Sequence, residues 1–221
     1  MRKALALLPV VLALAGCIDS PQSSPKRQAV KRPPTTYTPT DVNARQCLST
    51  LGATRASFTP LPDQYFGAGC SNRNTVRLVS LQSDHDSLGL SNLGPVTCPL
   101  ANTFATWARF GVDRAARQIL GSPLARIETM GSYNCRNVAG SSKRSAHATA
   151  NAIDVSGFVL ADGRRITLTR DWSGGSSEER RFLRVVQTSA CKRFGTVLGP
   201  AYNGAHSDHF HLEMSKSEFC R

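Results

Sequence analysis

The sequence is poor in acidic residues. Its 221 residues include 15 Asp and Glu against 27 Lys and Arg, which gives a formal charge of +12. A basic chain favours anionic partners, and nucleic acid is one of them. The basic residues are scattered, however, and form no dense stripe with aromatic side chains beside it. We therefore expect no nucleic-acid partner, because cell-wall polymer or lipid head groups fit this pattern better.

The apolar run at the start of the chain is too short for a stable membrane-spanning helix. It covers residues 4–15 and follows Met1-Arg2-Lys3, which is typical of a secretory signal. The segment Leu14-Ala15-Gly16-Cys17 resembles a bacterial lipobox, which implies cleavage before Cys17 and lipidation of its sulfur. An ordinary signal peptide with an incidental Cys17 is the alternative. We expect a signal peptide over residues 1–16 and a lipid-anchored periplasmic location, with the outer membrane favoured over the inner.

Apolar residues are nearly absent from Ile18 to about Thr40, where Pro, Ser, Thr, Gln and basic residues predominate. Such a segment cannot bury enough surface to offset its ordering entropy. It predicts a flexible tether over residues 17–40 that carries the lipidated cysteine. Residues 41–221 are then long enough for one domain with one core. Nothing in them suggests a coiled coil or an obligate dimer face, so we expect a monomer.

The sequence contains no Cys-x-x-Cys pair, which argues against a zinc ribbon. Six cysteines follow Cys17, and an even number in an exported chain predicts three disulfides rather than thiolate metal ligands. Sequence alone does not choose among the possible pairings. We expect sequential pairing, because each pair then brackets a compact segment: Cys47–Cys70, Cys98–Cys135 and Cys191–Cys220.

Helical and strand patterns are mixed without a regular βαβ rhythm. Helices are predicted over residues 41–51, 99–110 and 177–194. Strands are predicted over residues 75–79, 125–131, 152–159, 165–168 and 209–214, and Asp162-Gly163 predicts a hairpin turn between two of them. We therefore expect an α+β domain with a central antiparallel sheet flanked by helices and held by disulfides.

Histidine is scarce, and four of the five histidines lie in two short stretches near His147 and His211. Together with Asp154, these stretches offer two imidazoles and a carboxylate. A catalytic zinc uses three such ligands and keeps a fourth position for water. His147 and Asp154 are seven residues apart and would lie on opposite faces of a straight strand, so the chain must bend between them. The small residues 148–151 permit that bend.

The segment Ser145-x-His147-x-x-Ala150-x-Ala152-x-Asp154 is similar to the Ser-x-His-x-x-Gly-x-Ala-x-Asp motif of zinc peptidases that cut cell-wall peptides. These are the D-Ala-D-Ala carboxypeptidase, murein endopeptidase and hedgehog-like group. Their second motif, His-x-His, appears as His209-Phe210-His211. More closely, the chain resembles the bacterial extensin-like C-terminal domain family from about Cys47 to Cys220. That resemblance includes residues 131–136, 152–158 and 199–203.

The resemblance implies a role for each matching residue. The zinc ligands would be His147, Asp154 and His211. Asp208 lies three residues before the last ligand, where the group carries its acidic general base, although an acid beside histidines can instead orient an imidazole. His206 is a rival base, and His209 would assist the ligands or the transition state.

Other matching residues are assigned to the substrate. Arg136 could hold a peptide carboxylate through two hydrogen bonds, and either Arg136 or His209 could stabilise an oxyanion. A purely structural role is its alternative. Tyr133 and Asn134 are candidate substrate contacts. Ser145 is expected to support the site by hydrogen bonding, because no Ser-His-Asp arrangement requires it as a nucleophile.

One position departs from the motif of the wider peptidase group. Ala150 stands where the group usually has Gly. If the backbone there needs a positive φ, alanine is strained, whereas in an ordinary bend the substitution costs little. The departure affects the local geometry and leaves the choice of ligands unchanged.

These residues predict a zinc-dependent peptidase that acts on peptidoglycan stem peptides, as a DD- or LD-type carboxypeptidase or endopeptidase. The alternative is a non-catalytic peptidoglycan-binding lipoprotein that retains a structural zinc site. A third and weaker possibility is a zinc-dependent hydrolase of another amide. The acid at position 208 favours an enzyme, because a binding protein would not need a base there.

Overall fold

The computed structural model describes residues 37–221. The predicted signal peptide, the lipidation of Cys17 and the tether up to residue 36 lie outside the described residues, so the domain boundaries stay predictions. In the described part, no helix has the length and apolar character needed to cross a membrane.

The three predicted helices are present. Helix α1, Val42–Ala53, begins at Asp41, whose Oδ1 accepts a hydrogen bond from Ala44 N. Helix α2, Cys98–Trp107, continues in π-helical turns over Ala108–Asp113 and Ala116–Leu120, so its predicted end at residue 110 is wrong. An unpredicted helix α3 covers Leu168–Gly174, and α4 covers Ser177–Cys191.

Ten strands form one sheet. Its members are β1 (Ser57–Pro60), β4 (Thr75–Gln82), β5 (Ser87–Ser91), β6 (Val96–Thr97), β7 (Leu124–Gly131), β8 (Ala152–Leu160), β9 (Arg165–Thr167), β10 (Thr196–Leu198), β11 (Phe210–Glu213) and β12 (Phe219–Cys220). Strands β2 (Gln64–Gly67) and β3 (Cys70–Asn72) form a separate hairpin. The β5–β7 and β10–β12 pairs are parallel, and the other pairs are antiparallel. The predicted α+β class with a mostly antiparallel sheet is confirmed, as is the hairpin between β8 and β9.

The core lies between the sheet and the helices α2 and α4. Trp107 is fully buried there, and its ring packs against Phe104 and Phe158. Its indole Nε1–H donates to the carbonyl of Val186 at 3.2 Å, which satisfies the one polar group that this large side chain buries. Phe182 of α4 packs edge-on against Phe158, so both helices are fixed on the same face of β8.

The six cysteines form three disulfides, but two of the expected pairings are wrong. Cys191–Cys220 is confirmed. In place of Cys47–Cys70 and Cys98–Cys135, the bridges are Cys47–Cys98 and Cys70–Cys135. The reason is tertiary, because α1 packs beside α2 and brings the Cα atoms of Cys47 and Cys98 within 6.1 Å. Each of these two bridges closes a long loop, which by chain entropy contributes about 4 kcal/mol.

Asp113 joins the π-helical turn to β7 and gives a test of the fold. It is fully buried and accepts hydrogen bonds from Leu124 N at 2.9 Å and Arg117 Nε at 3.0 Å. Asp113→Ala leaves a buried N–H without an acceptor, so we expect the free energy of unfolding in urea to fall by about 2–3 kcal/mol. Asp86→Ala is the control, because exposed Asp86 also pairs with Arg117 and should cost at most about 1 kcal/mol. Equal losses would contradict this role of Asp113.

Candidate metal centre

Two neighbouring strands bring a carboxylate and an imidazole together. Strands β8 and β11 are antiparallel, and Asp154 lies directly opposite His211 in their register. His147 comes from a short 3₁₀ turn, Ala146–Thr149, that precedes β8. The hydroxyl of Ser145 accepts from His147 N at 3.4 Å and caps this turn. Ser145 therefore supports the turn that carries His147.

The bend predicted between His147 and Asp154 is confirmed. Its turning point is Ala150, which adopts φ 53° and ψ 28° in the left-handed region. Alanine pays a steric cost of about 1 kcal/mol in that region, which glycine avoids. The conformation is the positive-φ case that the sequence left open for Ala150. It shows that the conditional strain expected for Ala150 is present in this chain.

Three ligand atoms converge at the end of this bend. His147 Nε2 lies 3.1 Å from His211 Nδ1 and 3.2 Å from Asp154 Oδ2, and His211 Nδ1 lies 3.0 Å from Asp154 Oδ1. Zinc bonds of roughly 2.0–2.1 Å in a tetrahedral arrangement separate neighbouring ligand atoms by about 3.3 Å. The three residues form a group that could hold a metal ion, and small outward shifts would bring their atoms to that spacing.

Hydrogen bonds on the far side of each ring decide which nitrogens face the site. His147 Nδ1 lies 2.9 Å from the carbonyl of Ser132, which only accepts, so the ring carries its proton on Nδ1. His211 Nε2 lies 3.3 Å from Glu213 Oε2, a second acceptor. With protons on these outer nitrogens, the two nitrogens that remain point lone pairs at each other and at the Asp154 carboxylate. Such an arrangement requires a cation between them, either a metal ion or a proton.

The charges of the site agree with this conclusion. Burial alone would raise the pKa of Asp154, but its close contacts with the His147 and His211 imidazoles outweigh it and hold that pKa well below its usual range. Burial lowers the pKa of His211, but hydrogen bonds to Asp154 and Glu213 outweigh it and raise that pKa to about 9. In the absence of metal, a proton on His211 therefore supplies the positive charge at neutral pH.

Three further sequence-predicted residues lie beside the ligands. His209 is buried, with its Nδ1 at 2.7 Å from Asp208 Oδ1 and its Nε2 at 3.5 Å from Asp154 Oδ1. The ring of His206 lies 5.2 Å from that of His209, and its Nδ1 is hydrogen-bonded with Asn203 Oδ1. Burial, and then the neighbouring His209 and His211 imidazoles, lower the pKa of His206 to about 4. Asp208 thus contacts His209 and not a ligand.

Two cavities border the ligands. A cleft of about 310 Å³ is lined by His206, His209, His211 and Ser145, and a smaller cavity of about 70 Å³ by Tyr133, Asn134, His147 and Asp154. Exposed Arg136 lines both. The sequence-predicted substrate contacts are therefore divided, with Tyr133 and Asn134 on one side of the ligands and Ser145 on the other.

One known family matches the part of the chain that contains all three candidate ligands. The family described as "Extensin-like protein C-terminus" matches residues 45–221. The chain belongs to the extensin-like C-terminal family. No curated protein and no solved structure matches it. The resemblance to the extensin-like family is thus confirmed, whereas the resemblance to zinc peptidases stays a prediction.

Sequence reasoning missed two groups that hold the ligands of this extensin-like domain. Glu213 follows His211 by two residues in a strand, so its side chain lies on the same face, and that spacing could have revealed it. The carbonyl of Ser132 carries no such signal, because any residue has one. Tyr202 also lines the larger cleft, packed against the ring of His206.

Glu213 should determine how tightly the extensin-like domain holds a metal. Glu213→Gln replaces the charged acceptor for His211 Nε2–H, so we expect zinc affinity to fall about tenfold or more, measured by competition with a chromophoric chelator. Asp208→Asn is the matched control, because Asp208 contacts no ligand and its loss should leave the affinity within about twofold. Equal affinities of the two variants would contradict an orienting role for Glu213.

The raised pKa of His211 predicts how the stability of the metal-free protein depends on pH. The unfolded chain loses this proton near pH 6.5, whereas the folded protein retains it to about pH 9. The contribution is therefore fully present below pH 6.5 and is lost as the pH rises to 9. We expect the urea midpoint in the presence of a chelator to fall over this range, and to fall less in His211→Asn. The same decrease in both proteins would show that other groups are responsible.

Proposed function

We propose that this extensin-like protein is a zinc-dependent peptidase that acts on peptidoglycan stem peptides. The observation that supports it best is the convergence of three lone-pair donors beside an open cleft. Structural zinc sites are closed by four protein ligands, whereas catalytic sites have three and keep one position free. The described residues supply three, so the site has the composition of a catalytic one.

Zinc fits this set better than the common alternatives. Two imidazoles and one carboxylate suit zinc, whereas calcium and magnesium prefer oxygen ligands throughout. A bound zinc ion would supply a Lewis acid that polarises a carbonyl and lowers the pKa of a water. The donor set includes no thiolate, because the six cysteines of the described chain are paired in disulfides.

Arg136 is suited to the recognition of a substrate carboxylate. It lines both cavities at the ligands, and its guanidinium is exposed, with one long hydrogen bond to the carbonyl of Asn137. A guanidinium binds a carboxylate through two parallel hydrogen bonds. A stem peptide ends in a carboxylate, so Arg136 favours carboxypeptidase action, with endopeptidase action as the alternative.

Asp208 and His209 would take part directly in the proposed reaction. Asp208 is half-exposed beside His209, which lines the cleft, and one of its oxygens contacts His209 Nδ1 at 2.7 Å. That contact directs His209 Nε2 towards Asp154 and the cleft. We assign Asp208 as the general base and His209, with both ring nitrogens protonated, as the group that stabilises the oxyanion.

The cell-envelope location belongs to the same proposal. Three disulfides support an oxidising compartment, because such bonds rarely persist in the cytosol. The signal peptide and the lipid anchor at Cys17 would place the domain beside the wall. The basic character of the chain suits an acidic polymer.

The first experiment measures zinc content and muropeptide cleavage of the purified protein beside His211→Ala. We expect about one zinc per chain in the wild type and a shortened stem peptide among the digestion products, both lost in the variant. Zinc binding without cleavage would favour the non-catalytic wall-binding alternative. Failure of the wild type to bind zinc would contradict both the peptidase and the wall-binding protein with a structural zinc site.

Asp208→Asn separates the two roles of Asp208. Asparagine still accepts a hydrogen bond from His209 Nδ1–H but cannot take a proton. If Asp208 is the base, kcat should fall by about a hundredfold or more while the zinc content stays at the wild-type level. A fall of less than about tenfold would show instead that Asp208 orients His209, which is the alternative role left open by the sequence.

A further inference from the structure

Three apolar side chains beside the metal centre remain outside the core. They are Phe66 of β2, Met130 of β7 and Tyr133 of the following loop, and we call them the aromatic shelf. Phe66 is 51% exposed and Met130 50% exposed. The rings of Phe66 and Tyr133 lie 5.3 Å apart at 41°, so they form one tilted surface. Exposed apolar groups with a polar rim mark binding sites more often than chance.

The aromatic shelf is continuous with the candidate metal centre. Met130 and Tyr133 line the small cavity that also contains His147 and Asp154. Phe66 extends this surface outwards through its contact with Tyr133. A molecule that reaches the ligands from this side therefore lies across the aromatic shelf.

The hairpin that carries Phe66 is fixed to the loop that carries Tyr133. Cys70 at the start of β3 is bonded to Cys135, two residues after Tyr133. Arg144 Nε donates to the carbonyl of Ala68 in the hairpin turn at 2.6 Å. Since both halves of the surface are held in place before binding, little ordering entropy is lost when a ligand docks.

We propose that the aromatic shelf binds a sugar ring of the glycan strand to which the stem peptide is attached. This inference rests on the proposed function. A pyranose ring has a flat face of C–H groups and a rim of hydroxyls, which match an aromatic face beside polar side chains. Exposed Asn134 and Arg136 supply donors next to Tyr133. Stem peptides consist of small and charged amino acids, so they offer nothing large and apolar to cover Phe66.

The size of the surface also argues for a sugar rather than a protein. A stable protein interface buries about 800 Å² on each partner. Next to Phe66 on the hairpin, Tyr65 packs under Arg73 instead of Tyr133, and the other neighbours are small or polar: Gln64, Gly67, Ala68 and Gly69. They add no further apolar area to the aromatic shelf. The apolar area of the aromatic shelf matches one or two sugar rings.

The test measures the affinity of the purified protein for a tetramer of N-acetylglucosamine. Phe66→Ala removes one stacking partner, so we expect affinity to fall about fivefold to tenfold. Tyr65→Ala is the matched control, because Tyr65 is 69% exposed on the same strand but packs under Arg73 instead of Tyr133. It should change the affinity by less than about twofold. Phe66→Trp should retain the affinity, since it keeps an aromatic face.

Failure of this inference is distinguishable from failure of the proposed function. His211→Ala should lose zinc and cleavage but bind the tetramer like the wild type. Absence of tetramer binding in the wild type, or equal effects of Phe66→Ala and Tyr65→Ala, would overturn the role of the aromatic shelf even if stem peptides are cut. Binding that depends on Phe66 in a protein that cuts no peptide would support the shelf and overturn the peptidase.

Discussion

The register between β8 and β11 is the constraint on which the candidate site depends. It places Asp154 opposite His211, with their side chains on one face and 3.0 Å between the nearest atoms. A slip of one residue would turn one of them to the other face and separate them. The same pairing sets Phe210 and Leu212 in the core, so the burial of apolar side chains holds the register and, through it, the polar site.

Around Asp154 and His211, hydrogen-bond acceptors hold the histidine rings so that one nitrogen of each ring faces the centre of the site. The carbonyl of Ser132 and the carboxylate of Glu213 accept from the outer nitrogens of His147 and His211. The inner nitrogens then face a carboxylate in a buried environment, where uncompensated polar atoms are costly. A cation relieves that cost, which links the stability of this region to metal or proton binding.

The disulfide Cys70–Cys135 connects the loop beside the metal ligands to the β2–β3 hairpin. It fixes the β2–β3 hairpin to the loop that contains Tyr133 and Arg136. In our proposals Arg136 recognises the end of the peptide, the three ligands hold the metal, and the aromatic shelf contacts the glycan.

The sequence by itself determined what depends on local pattern: the helix starts, the β8–β9 turn, the mixed fold class, and the histidines and aspartate that meet at the site. Caps, turns and motif spacing act over a few residues, so they can be recognised without coordinates.

The tertiary structure decided which cysteines pair, that α2 continues to Leu120, and that Phe66 meets Tyr133. It also decided that Asp208 contacts His209 and that the Ser132 carbonyl orients His147. The disulfides and the Phe66–Tyr133 contact join segments that are distant in the chain. The Asp208–His209 contact depends on side-chain direction, and the Ser132 carbonyl is a backbone group that every residue has. Only the packing of α1 on α2 and of the hairpin on the site loop fixes them in space.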